Sequence, residues 1–111
     1  METKLIEKPK FIKHPEYENV EIASVVDDNL SSDYRCAIVK IHPGGEIKPH
    51  IHKNLEVAHI MKGEGMLLVN GKYKSIKQGE SMYAPSGVKH GMKNQTNEEM
   101  VLFATFPNCK N

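Results

Sequence analysis

The chain has 111 residues, 39% of them hydrophobic and 26% charged, and its 15 basic and 14 acidic side chains leave a formal net charge of +1. That length suits one hydrophobic core and a single domain, and the charge balance offers no basic face to a phosphate backbone or anionic lipid, so neither nucleic acid nor membrane is expected as a partner. No stretch approaches the roughly 18 apolar residues of a spanning helix, and the opening METKLIEKPK has no signal-peptide run, so the expected location is the cytoplasm.

Residues 1–18, with Pro9 and Pro15 set among charges, read as an N-terminal arm ahead of a single domain over 19–111. From there the chain is a succession of short β-prone runs between turn signals, with no clear helical period. The predicted strands are 19–26, 34–42, 46–52, 55–62, 65–70, 72–77, 81–84, 90–94 and 99–106. Asn70-Gly71 predicts a two-residue hairpin turn, because a type I′ turn needs positive φ at both central positions. Pro43-Gly44-Gly45, Gly63-Glu64-Gly65, Lys77-Gln78-Gly79 and Pro85-Ser86-Gly87 punctuate the rest at nearly regular spacing, as in sandwiches and barrels with short connections. The expectation is an all-β, jelly-roll-like architecture.

The last run is apolar on both faces: Met100, Leu102, Ala104 and Phe106 alternate with Val101, Phe103 and Thr105. A strand wetted on one side would alternate with polar residues. It is covered either by the chain's own N-terminal segment or by a second subunit; a homodimer is the expectation, with the arm reaching onto the partner. Cys36 and Cys109 lie far apart, and without an export signal they are expected as free thiols.

His50 and His52 stand two apart on a predicted strand, which aims both imidazoles into one volume. Glu56 follows a short break and opens the next strand, and His90 comes later, behind Pro85-Ser86-Gly87. Three nitrogens and one carboxylate suit a divalent transition metal (Fe, Mn, Ni, Co, Cu or Zn), not the thiolate shell of a structural zinc knot nor the all-oxygen shell of calcium or magnesium.

The chain resembles the cupin superfamily on two motifs. Gly44, His50, His52, Glu56 and Gly63 follow the first, and Gly79, Pro85, Gly87, His90 and Asn94 the second, with no departure in residue or gap. The resemblance implies a cupin-type β-barrel, a double-stranded β-helix or jelly roll of two antiparallel sheets, with His50, His52, Glu56 and His90 as metal ligands. Within it, alternation from Glu56 turns Ala58 and Ile60 inward as pocket residues and His59 outward. Tyr83 and Asn94 complete the candidate pocket lining, although a tyrosine so placed is more often an amphipathic wall residue and Asn94 reads equally as a turn residue. His14 and His42 read as surface histidines. Arg35 and Lys40 are the cations nearest to hand for an anion and fall on opposite faces of their strand, so at most one points inward.

Such folds host dioxygenases, isomerases, lyases and plain binders, so the functional expectation stays at a metal-dependent enzyme acting on a small organic molecule. The alternative is a non-catalytic binding or sensing module with a ligand-holding or structural metal. No catalytic residue is assigned beyond the ligand set.

Overall fold

The structure, a computed structural model, describes residues 2–107. Among these, ten strands and no helix are found: β1 (Ile12–Lys13), β2 (Val20–Val26), β3 (Tyr34–Ile41), β4 (Glu46–His50), β5 (Glu56–Lys62), β6 (Glu64–Val69), β7 (Lys72–Lys77), β8 (Ser81–Ala84), β9 (His90–Lys93) and β10 (Met100–Pro107). They form a six-stranded sheet in the order β1-β2-β3-β10-β5-β8 and a four-stranded sheet in the order β4-β9-β6-β7, with antiparallel pairing throughout. This is the jelly-roll arrangement expected from the sequence.

Period-2 alternation builds the core between the sheets. Val39 and Ile41 of β3, Met100, Leu102 and Ala104 of β10, and Ala58 and Ile60 of β5 all turn inward and are buried. Their neighbours on the outer face, Ile38, Val101 and Phe103, are half-buried. The Asn70-Gly71 turn joins β6 to β7 as expected, with Val69 opposite Lys72 and φ of 51° and 80° at the two turn residues.

Two features differ from the sequence-based expectation. The strand expected over 46–52 stops at His50, because β9 begins at His90, the residue paired with His50, and offers no backbone beyond it. His52 therefore sits past the strand end. The second is β1, inside the arm: Ile12 pairs with Ile22 and Lys13 with Glu21, so the arm's end is an edge strand of its own chain's sheet. Phe11 extends the same cover, with the Lys40 ammonium 4.1 Å from its ring centroid. Cys36 is a buried free thiol, whereas Cys109 lies outside the described residues.

Candidate metal centre

Four elements bring the histidines and the glutamate together. His50 closes β4, His52 follows in the connection, Glu56 opens β5 across the barrel, and His90 opens β9. The β4–β9 pairing slips between Ile47 and His50: Ile47 is opposite Met92 and His50 opposite His90, so three steps on β4 answer two on β9. The extra residue is a bulge at Lys48-Pro49, on an edge strand where a proline costs no ladder bond. Without it, Ile47 and His50 would face opposite ways; with it, both line the same cavity. Gly91 makes the close approach possible, since a Cβ there would lie 3.0 Å from the Ile47 carbonyl oxygen and from Pro49 backbone atoms.

The potential ligand atoms of His50, His52, Glu56 and His90 lie within 4.8 Å of one another. The three rings are mutual neighbours, with centroids 5.1 Å (His50 and His52), 4.4 Å (His50 and His90) and 4.8 Å (His52 and His90) apart. Each Nδ1 faces a main-chain carbonyl: His50 faces Lys48 at 2.8 Å, His52 faces Asn54 at 2.9 Å and His90 faces Val88 at 3.0 Å. A carbonyl only accepts, so each Nδ1 carries the hydrogen, and in the neutral ring each Nε2 presents a lone pair. Glu56 Oε1 stands 3.3 Å from His90 Nε2 and 3.4 Å from His52 Nε2. With each Nδ1 turned to a carbonyl, the Nε2 atoms and the Glu56 carboxylate are the atoms left to face a cation. The donor set and its carbonyl-held orientation thus fit a divalent transition metal, with the second hydrogen bond that metal-binding histidines ordinarily make already in place.

The group opens onto a cavity of about 420 Å³. Ala58 lines it and is 1% exposed, while Met82, Met92, Leu102 and Phe106 complete an apolar wall. The other expected lining residues lie elsewhere. Ile60 faces inward but is buried in the core beyond the cavity. Tyr83 pairs with Val57 on the outer face and is 63% exposed; its neighbours Met82 and Ala84 take the inner side of β8. Asn94, 1% exposed, spends its side chain on the 94–98 turn and on the Ile41 carbonyl. His59 points outward, with Nδ1 2.8 Å from Ser81 Oγ. Lys40 takes the outer face over Phe11, while Arg35 is engaged by the Asp28 carboxylate and the Ser31 and Tyr34 carbonyls.

Sequence reasoning missed the arm's contribution: His14, Glu16 and Tyr17 also line the cavity. Burial, followed by the nearby Glu16 charge, pushes the Tyr17 phenol above its ordinary range. The signal that could have found them was weak. A His-Pro turn followed by an aromatic, just before the first long strand, can fold back over a barrel end.

The sequence profile described as "Cupin domain" matches residues 37–106. The chain belongs to the cupin family. Among curated relatives, an oxalate-binding protein from Thermotoga maritima is 33% identical over 69 residues, 61% of this chain and 57% of that protein. An H2HPP isomerase from Bacillus subtilis is 27% identical over 74 residues, 66% of this chain and 31% of that protein. The chain therefore spans little more than half the length of the first and less than a third of the second. Among solved structures, a predicted oxalate decarboxylase from Thermotoga maritima superposes with a TM-score of 0.76 at 27% identity, over 89% of this chain and 90% of that one.

Proposed function

We propose that this cupin holds one divalent transition-metal ion on His50, His52, Glu56 and His90 and is a metal-dependent enzyme, of dioxygenase, isomerase or lyase type, acting on a small organic molecule. The supporting observation is the convergence of three carbonyl-oriented imidazoles and one carboxylate in the lining of a largely apolar cavity. When bound, the ion would supply Lewis-acid or O2-activating chemistry. The chain's own residues would do the rest: the four ligands would fix the ion, the Lys48, Asn54 and Val88 carbonyls hold the rings, and the apolar wall would set the shape of a bound molecule and exclude water around it. With four ligands supplied by the protein, an ion that takes six would have room for a chelating acid or a similar molecule.

The test is elemental analysis of untagged protein purified without chelator, beside a His50→Ala, His90→Ala double variant. Near-stoichiometric metal in the parent alone supports the site, and screening for O2 uptake, isomerisation and carbon–carbon cleavage then selects the reaction. Equal metal in both, even after reloading, would falsify the four-ligand reading. A second reading, a non-catalytic binder, is favoured by one observation: a relative 33% identical is named as an oxalate-binding protein. A binder would raise its melting temperature with oxalate and turn over nothing.

The same proposal includes a homodimer. Ile38, Val101 and Phe103 are only half-buried on the outer face of the six-stranded sheet, where Val57 is 39% exposed, and Leu5 of the arm is 92% exposed. Light scattering at working concentration should give twice the chain mass, and Phe103→Glu should halve it; a monomeric parent overturns this part of the reading.

A further inference from the structure

The cavity that holds the metal-binding group has three kinds of lining. The imidazoles and Glu56 are the first, Ala58, Met82, Met92 and Leu102 form a buried apolar wall, and His14, Glu16 and Tyr17 of the arm complete it. Of the arm residues, His14 and Tyr17 are half-buried and Glu16 is exposed.

His14 is held there by four separate contacts. Its backbone N–H donates to the Val20 carbonyl at 2.8 Å, directly after the β1–β2 pairing. Its ring stacks on Tyr17 at 4.6 Å between centroids and 28° between planes. Its Nδ1 accepts the backbone N–H of Glu16 at 3.0 Å and of Tyr17 at 3.3 Å. A ring nitrogen that accepts carries no hydrogen, so in the neutral ring the proton sits on Nε2. The Nδ1 edge is consumed by the turn, and the Nε2–H edge is the one left to meet a ligand. Here the tautomer is opposite to that of the three histidines of the metal group, which present lone pairs.

Resting on the metal-centred reading above, we propose that His14 is a positioning residue whose Nε2–H donates a hydrogen bond to the far end of a molecule that chelates at the metal group. Three requirements define that molecule: a chelating acid head, an apolar body that fits the wall, and a terminal hydroxyl. A hydroxyl can accept from His14 and also donate to Glu16, which lines the same cavity. A terminal carboxylate would meet Glu16 as a like charge, and a bare hydrocarbon end would leave the Nε2–H unpaired.

The experiment compares phenylpyruvate with 4-hydroxyphenylpyruvate, which share a chelating 2-oxo acid head and an aromatic body and differ in the terminal hydroxyl. Both are titrated by calorimetry into cobalt-loaded parent, His14→Asn and His14→Ala, with the visible cobalt spectrum reporting chelation separately. Asparagine can accept the same turn N–H groups but is too short to replace the imidazole donor. In the parent the hydroxylated acid binds about fivefold to tenfold more tightly, the worth of one hydrogen bond. His14→Asn abolishes that preference while cobalt stoichiometry and melting temperature stay at parental values. A preference that survives in His14→Asn overturns the assignment. So does a loss for both acids in His14→Ala that His14→Asn restores, since that pattern is a purely structural role. If phenylpyruvate binds but the parent shows no preference, chelation stands and the role of His14 falls; if neither acid alters the parent's cobalt spectrum, the chelation reading falls with it.

Discussion

At the scale of single residues, the candidate metal ligands were legible because their identity and spacing are written in the sequence, whereas their orientation depends on main-chain partners that are not. His50, His52, Glu56 and His90 were picked out by type and gap; the Lys48, Asn54 and Val88 carbonyls that set all three tautomers leave no mark in residue identity. Asn94 shows the converse. Its place in the second motif suggested a pocket role, yet its side chain makes four hydrogen bonds: Nδ2 donates to the Ile41 and Glu98 carbonyls, and Oδ1 accepts from the Thr96 N–H and hydroxyl. Asn94→Ala removes all four bonds, including the buried one to the Ile41 carbonyl, and chemical denaturation should show a loss of about 2–4 kcal/mol with metal stoichiometry unchanged. A variant that loses metal at unchanged stability would instead make Asn94 part of the metal site. Cys36 supplies a second residue-scale prediction. It is buried, and burial pushes its thiol above the ordinary range despite a hydrogen bond from the Val26 backbone that acts the other way. A higher pKa means less thiolate at any given pH. With Cys109 replaced by serine, Cys36 should stay unreactive to an aromatic disulfide reagent at pH 8 and react fully once denaturant is added.

At the scale of elements, the strands were legible from alternation and the turns from Asn-Gly and Pro-Gly pairs, because local chemistry decides both. Strand facing was less so wherever a bulge intervenes. Counting by twos along 46–52 puts Ile47 and His50 on opposite faces, and the Lys48-Pro49 bulge returns both to the cavity. On β8, pairing with β5 puts Met82 and Ala84 inward and leaves Tyr83 on the outer face. The element-scale prediction concerns Gly91, which lets β4 approach β9. A Cβ at this position would sit 3.0 Å from Ile47 and Pro49 backbone atoms, and backbone cannot swing aside as a side chain tip can. Gly91→Ala should push β4 outward immediately before His50, weakening metal affinity about 10- to 100-fold in a competition titration against a chelator. The metal-free protein should lose about 1–3 kcal/mol. Unchanged metal affinity would mean that His50 tolerates displacement of its strand.

For the whole molecule, the position of the metal group relative to the two sheets matters more than its ligand count. Glu56 belongs to the six-stranded sheet through β5, His50 and His90 to the four-stranded sheet through β4 and β9, and His52 to the connection that passes from one sheet to the other. An ion held by all four would cross-link the sheets at one end of the barrel, where hydrophobic packing gives way to an open cavity. Along the rest of their interface the sheets hold together through Ile41, Ile60, Met100 and the other buried residues, so the metal-free chain should remain folded. Binding to the folded state alone adds stability by mass action: a hundredfold excess of free metal over its Kd contributes about 2.7 kcal/mol. For a domain of this size that corresponds to a rise of about 10 °C in melting temperature. Calorimetry on metal-loaded and chelator-stripped protein should therefore show one cooperative transition in each, separated by roughly that interval, with the separation gone in the His50→Ala, His90→Ala double variant. Two resolved transitions in the stripped protein would mean that the sheets are not one cooperative unit without the ion. A shift that persists in the double variant would place the stabilising metal away from this group and leave the cavity without the chemistry proposed for it.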